Sequence, residues 1–504
     1  MVAISNNRRR NAGLISPQRL ITLMTAVMAA VMVFYTFFVG SMLNKQKLSQ
    51  LIPSAPADMS NGAVAIVEEE ETGPPVVIAH AISLIKCGKK GSVTGFLDSA
   101  AVLRHSIHKN SIHATKKGQP KKSRYSYQMY AIVHLSCEEH AKSLERLGYK
   151  TIVKDHPVVK DEIEGEWLRN HIEAENCCGS AEFIKLYAYH LTDHPIVVHW
   201  DMDVAILQPM DDLFDTMLYP ATHPRGKAAR EKVERQHPED EWPGTINAFF
   251  TRDITSAKPW EKITAVQGGF LVARPDKDVF DKYIEFIKKG DYKKGRGDGS
   301  GWGGLGYGGF QGAMAYQGVV AYFYDQLAPN TSVELNLCRW NQVAADVIWR
   351  GPERMTEHNM QCRQYPRKML PSGEPDYESN KDCEDCRMTP VEAVRTVHFT
   401  ACKKPWECKV PHPRVPRDKR HVYRLHNLVS VDNCSKLLKE WFKLREEFEE
   451  ALETASDGKI KPSERIGVYY KENFLGYCKG ENGGNYIPMV PPTEDFDIKK
   501  IYGM

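Results

Sequence analysis

The chain has 504 residues, 42% of them hydrophobic, with 67 lysines and arginines against 64 aspartates and glutamates. That much apolar material can bury a large core, as one big domain or two to three ordinary ones, which excludes a disordered or fibrous protein. The near-neutral balance gives no dominant single-sign field and argues against nucleic acid as a partner.

The first expected element is a membrane span. Leu20 to Leu43 runs for 24 residues without a charge, long enough to cross a hydrocarbon core of about 30 Å as a helix. A cleaved signal peptide would carry an apolar region of only about 7–15 residues and a small-residue cleavage site, which is not evident here. Arg8, Arg9, Arg10 and Arg19 precede the span and Lys45 and Lys47 follow it. The positive-inside tendency therefore predicts a cytosolic tail over 1–19, a signal anchor over 20–43 and a luminal remainder. Residues 44–75 are polar, carry the acidic run Glu68 to Glu71 and end in Gly-Pro-Pro. They read as a stem.

From Val76 strand and helix patterns alternate. VVIAHAISLI reads as a strand, DSAAVLRHSIHK as a helix, MYAIVHL as a strand, EEHAKSLERLG as a helix, and AEFIKLYAYHL as a helix feeding the strand IVVHW. Such alternation predicts an α/β fold with a mostly parallel sheet covered on both faces. Glycine is so dense from Gly295 to Gly312 that a loop is expected, either a plain connector or a mobile flap over a ligand. It carries Arg296-Gly-Asp298, an adhesion-like tripeptide that motivates a weaker cell-surface reading. No Gly-Lys-Ser/Thr follows, which excludes a P-loop. Residues 351–396 form a Pro-, Cys- and charge-rich insertion in a domain expected to span 76–432. A C-terminal helix and tail fill 433–504, the helix covering 436–453 with Asn433 or Ser435 as its cap.

All twelve cysteines lie beyond the span, which suits disulfides in an oxidising compartment, although spacing does not reveal their pairing. Cys383 with Cys386, and Cys402 with Cys408, leave zinc as an alternative. The sequons at Asn330 and Asn433 fit a luminal chain.

The pattern D-x-D occurs at Asp201/Asp203, Asp276/Asp278 and Asp495/Asp497. Only the first follows a buried-strand pattern, IVVHW, and precedes a second apolar stretch. Carboxylates at i and i+2 leave a strand on one side and can share a cation, and ligands of open α/β sheets gather at the carboxyl ends of strands. The other two pairs read as solvated turn or helix-start acids. Far along the chain, HFTACKKPW offers an imidazole at His398 and a flexible ammonium at Lys404.

The segments EFIKLYAYHLTDHPIVVHWDMDVAILQPMDDLF, VQGGFLVARP and HFTACKKPW, in this order and spacing, resemble the signatures of the glycogenin-like glycosyltransferases, glycosyltransferase family 8. DSAAVLRHSIHK is similar to that family's first helix, so the resemblance covers roughly residues 76 to 410. It implies a GT-A-type fold, a UDP-hexose donor, manganese, and retaining transfer to a glycan or glycoprotein acceptor by a hexosyltransferase in the Golgi or ER. It further implies that Asp201, Asp203 and His398 ligate the metal and that Lys185 and Lys404 meet the donor. Gln267 and Gly269 then stand beside the transferred sugar, and Gln311 lies where the family has Asp-Gln-Gly. The chain departs from the family at several positions: Lys86 and Cys87 replace a Thr-Asn pair, Ala401 a glycine, and Phe310 the aspartate before Gln311. Phe310 motivates the rival reading, a catalytically silent carbohydrate-binding protein on the same fold.

Overall fold

The computed structural model describes residues 73–85, 87, 93–114, 122–175, 178–253, 263–343, 360–361, 384–386, 389–400, 402–409, 420–480 and 485–502. The expected membrane span at 20–43 lies outside these; among the described residues no helix is long and apolar enough to cross a membrane. Glu71–Met504 form one compact unit.

Its centre is a seven-stranded sheet. The strands are β1 (Val77–Leu84), β2 (Ser126–His134), β3 (Lys150–Lys154), β4 (Val197–Trp200), β6 (Ala248–Arg252), β7 (Val266–Ala273) and β8 (Ser332–Glu334), in the order β8-β6-β7-β4-β1-β2-β3. The pairs β1/β2, β2/β3, β1/β4 and β6/β8 are parallel, while β7 is antiparallel to both β4 and β6. The α/β fold with a mostly parallel sheet is thus present, with β7 alone reversed. Both faces are covered: Ile78 and Ile82 of β1 enter one core cluster and Ala79 and Ala81 the other. This two-sided burial is why VVIAHAISLI reads as continuously apolar.

The chain leaves β1 for β2 and β3, then returns to β4 on the opposite side of β1. That reversal opens a crevice at the carboxyl ends of β1 and β4, the usual place for a ligand in an open α/β sheet. Asp201 is the first residue after β4.

Helix α1 (Val93–Lys109) covers one face, as expected. The segment Gly179–His190 is helical but winds as 3₁₀ turns, which stack residues three apart and put Glu182 and Lys185 on one row. On the same face lie α2 (Lys277–Lys289) and α3 (Tyr316–Tyr322). Asp276 caps α2, its Oδ1 accepting the Asp278 N–H at 2.8 Å, and the exposed Asp497 accepts the Lys499 N–H at 3.0 Å. Both spare D-x-D pairs are local turn and cap acids, as read.

Helix α4 runs over Arg420–Ala455 and begins well before the expected cap. Asn433 lies inside it with 4% exposure, its amide donating to the Cys386 carbonyl at 3.3 Å. It neither caps the helix nor offers a glycosylation site, because its side chain is spent on packing. Asn330 is exposed in a turn at φ 58°. Disulfides join Cys87 to Cys137, Cys338 to Cys386, Cys402 to Cys434 and Cys408 to Cys478. The zinc alternative falls for Cys386, Cys402 and Cys408; Cys383 lies outside the described residues.

The glycine-rich segment is packed down. Trp302 and Tyr307 are 1% exposed and Phe310 is 5% exposed. Trp302 Nε1 donates to the Ala313 carbonyl at 2.8 Å, and Gly301–Trp302 pair with Tyr292–Lys293. At Gly301 the backbone is left-handed (φ 68°), and a Cβ would sit 2.1 Å from the Tyr307 carbonyl carbon. Glycine there serves close packing, while Gly295, Arg296, Asp298 and Gly299 are exposed.

Candidate metal and diphosphate site

The site is built on a turn whose backbone is pinned at every residue. β4 ends at Trp200, and β5 (Val204–Ile206) begins three residues after Asp201. The Asp201 N–H donates to the Gly269 carbonyl at 3.0 Å, extending the β4/β7 ladder by one step. The Ser99 hydroxyl of α1 donates to the Met202 carbonyl. The Asp203 carbonyl accepts the Phe399 N–H at 2.8 Å. That last contact belongs to β9 (Thr396–His398), which pairs antiparallel with β5 and sets His398 opposite Val204. Two segments almost two hundred residues apart are thereby locked in register, with His398 over the two carboxylates.

Each carboxylate divides its oxygens between a lysine and the histidine. Asp201 Oδ1 accepts from Lys185 Nζ at 2.8 Å, while its Oδ2 lies 3.8 Å from His398 Nε2. Asp203 Oδ2 accepts from Lys404 Nζ at 2.8 Å, while its Oδ1 lies 3.3 Å from the same nitrogen. Lys185 also donates to the Gly268 carbonyl at 3.2 Å and stands over the Tyr316 ring; Lys404 stands over Trp406.

Burial alone would raise both carboxyl pKa values, but the groups beside them win. Lys185 and His398 hold Asp201 below the usual carboxylate range, and His398 and Lys404 hold Asp203 there. Burial opposes the charge on the lysines in turn, yet Asp201 and Asp203 raise Lys185 and Lys404 above the ordinary lysine value. Two carboxylates and two ammonium ions are therefore charged together at neutral pH, and their charges cancel.

His398 is 1% exposed, and both of its ring nitrogens are buried without a hydrogen-bond partner. Leaving buried polar atoms unpaired is costly. With Asp201 and Asp203, His398 offers three ligand atoms within 4.8 Å of one another. A divalent ion about 2.1 Å from each ligand holds adjacent ligand atoms about 3 Å apart, close to the 3.3 Å observed between His398 and Asp203. Two carboxylates and an imidazole suit a cation such as manganese. The donor set fits a metal.

Gly269 is the other half of that fit. A Cβ there would meet His398 Cε1 at 2.3 Å, His398 Nδ1 at 2.9 Å and Asp201 Oδ2 at 3.0 Å. Its role is to admit the imidazole, with no donor contact required. Gln267 points inward: its Oε1 accepts the Gly269 N–H at 2.6 Å and the Asn341 amide at 3.3 Å. It braces β7.

Gln311 is exposed, and no contact described for it reaches the carboxylates. The triplet Phe310-Gln311-Gly312 is echoed six residues later by Tyr316-Gln317-Gly318, and the second copy lies at the site. Gln317 Cγ sits 3.0 Å from where a Cβ on Gly268 would stand, and its amide donates to Asp253 Oδ2 at 3.2 Å and the Val266 carbonyl at 3.3 Å. The repeated aromatic-Gln-Gly pattern was the only sequence signal for it. Lys86 and Ala401 lie outside the described residues.

No protein-family model matches the chain, and no curated protein sequence matches it. Among solved structures it is similar to mouse xyloside xylosyltransferase 1 (11% identity, 65% of this chain and 98% of that one, TM-score 0.34). It is also similar to the galactosyltransferase LgtC in complex with donor and acceptor sugar analogues (11%, 71% and 95%, TM-score 0.33). A third is the glycosyltransferase GlyE of Streptococcus pneumoniae TIGR4 (12%, 71% and 63%, TM-score 0.32). Likenesses at this level say nothing about activity.

Proposed function

We propose that this chain is a metal-dependent glycosyltransferase that moves a hexose from a UDP-sugar to a glycan or glycoprotein acceptor, with the anomeric configuration retained. The observation that carries the reading is the facing of Asp201 Oδ2, Asp203 Oδ1 and His398 Nε2 across one gap, flanked by Lys185 and Lys404. The order of motifs that resembles glycosyltransferase family 8 supports it.

Sugar transfer requires a leaving diphosphate to be stabilised while the anomeric carbon becomes cationic. Asp201, Asp203 and His398 would hold a divalent cation such as manganese, which acts as a Lewis acid on diphosphate oxygens when bound. The lysines do the rest. Each ammonium neutralises one carboxylate and would meet a phosphate oxygen as a point charge. Gly269 admits the His398 ring and Gly268 the Gln317 side chain, which sets Gln317 beside the site. Neither aromatic-Gln-Gly triplet carries a carboxylate nucleophile, since Phe310 and Tyr316 precede the two glutamines. Retention then follows from attack by the acceptor on the face the diphosphate leaves, the departing phosphate taking the acceptor proton. Residues 20–43 would anchor the chain as a type II membrane protein facing the lumen of the Golgi or ER.

A donor screen tests this reading. Purified full-length protein with UDP- and GDP-sugars should hydrolyse or transfer one UDP-hexose with manganese and none with a chelator. Gln317→Ala should slow turnover by about tenfold or more, while Gln311→Ala should leave it near wild type. Absence of turnover with every donor, alongside intact binding of free glycans, would instead establish the silent carbohydrate-binding protein.

A further inference from the structure

A second group of metal-binding side chains sits on the same edge of the sheet. His134 is the last residue of β2, and Asp155 and His156 follow the last residue of β3. The two strands are parallel with His134 opposite Lys154, so Asp155 and His156 are the next residues past that register point. Their ligand atoms lie within 4.8 Å of one another, the two imidazole centroids are 4.4 Å apart, and His134 Nε2 stands 3.4 Å from Asp155 Oδ1.

Two details favour a ligand over a chance meeting of polar groups. His134 Nε2 is buried without a hydrogen-bond partner, and the carboxylate facing it, Asp155, is mostly exposed. On the far side of the ring, Nδ1 lies 2.7 Å from the Ser136 hydroxyl and accepts the Ser136 N–H at 3.2 Å. Because Nδ1 accepts that N–H, the ring proton rests on Nε2; ligation through Nε2 moves it to Nδ1, where a ligating histidine needs a donor and where the Ser136 hydroxyl oxygen stands 2.7 Å away to accept it. The Cys87–Cys137 disulfide fixes the turn that carries Ser136. Asp155 is steadied by its Oδ1 accepting the His156 N–H at 2.7 Å.

We propose that His134, Asp155 and His156 form a second cation site, for zinc or a similar borderline divalent ion, that ties the ends of β2 and β3 together. β2 lies two strands from β4 in the sheet, so at about 4.8 Å per strand the site is roughly 10 Å or more along the edge from Asp201. Its chemistry differs as well. Two imidazoles and one carboxylate prefer a softer ion than do two carboxylates and one imidazole.

The test is a zinc titration of chelator-stripped full-length protein carrying Asp203→Asn, which silences the first site, followed by calorimetry. One equivalent of zinc should bind, manganese should compete poorly, and Asp155→Asn with His156→Gln should abolish that equivalent while circular dichroism stays unchanged. Ser136→Ala should weaken it by about 10–100-fold, and carries the test if the double variant does not fold. Zinc affinity unaltered by these substitutions, or no zinc equivalent to begin with, overturns the proposal.

Discussion

At Gly269 the missing side chain is the functional feature. His398 is buried on every side, so a methyl group placed 2.3 Å from its Cε1 cannot be relieved by moving the ring outward. Gly269→Ala should cost about 1–3 kcal/mol of stability, as overpacking does, and should also displace His398 from the carboxylates. A melt lowered by that amount, together with manganese affinity reduced at least tenfold, is the expected pair of results. A variant that loses stability but binds manganese as before would separate the glycine from the site. That Asp201, Asp203, His398, Lys185 and Lys404 would gather in one place was legible because carboxylate spacing after a buried strand and the HFTACKKPW motif both have few structural uses. That Gln317 and not Gln311 packs beside Gly268 was not legible, because two aromatic-Gln-Gly triplets differ only in what packs beneath them. Phe310 and Tyr316 are both buried, and nothing local in the sequence tells which glutamine then faces Gly268.

Among the elements, alternation of apolar runs was enough to predict β1, β2, β4 and α1, since each buries a continuous face. The start of α4 was not legible, because Asn433 and Ser435 look like caps and only the tertiary partner of Asn433, the Cys386 carbonyl, reveals that the helix runs through them. α4 packs against α1, Phe448 and Leu452 sharing a core cluster with Leu103 and Ile107, and makes a polar contact at its edge. There, His105 Nε2 stands 3.6 Å from Glu447 and the Lys109 ammonium bonds it, lowering the Glu447 carboxyl to about 2. The unfolded carboxyl titrates near 4.3, so the stabilisation is complete above that value and is lost as pH falls from about 4.3 to about 2. Glu447 is 43% exposed, which limits the contribution to about 1 kcal/mol or less. Glu447→Gln should melt slightly below wild type at pH 7, with the gap narrowing below about pH 4.3 and closing near pH 2. A gap that is constant across that range would assign the effect to packing.

For the whole molecule, the sheet order places the turn after β4 at the reversal of strand order, and β9 arrives from a distant part of the chain to complete the site. A long-range closure of this kind is invisible to periodicity, which reports only local elements. The charge balance, by contrast, follows from the site: two carboxylates already matched by two ammonium ions can accept a cation and a nucleotide diphosphate together without leaving a large net charge buried. The most direct test is calorimetry of UDP binding to full-length protein, with and without manganese, in wild type and in Asp203→Asn. Wild type should bind UDP with manganese and lose at least a hundredfold in affinity with a chelator, and Asp203→Asn should bind no better than chelated wild type while keeping its circular dichroism. UDP affinity indifferent to both manganese and Asp203 would contradict the assignment of this site to a metal-bound diphosphate.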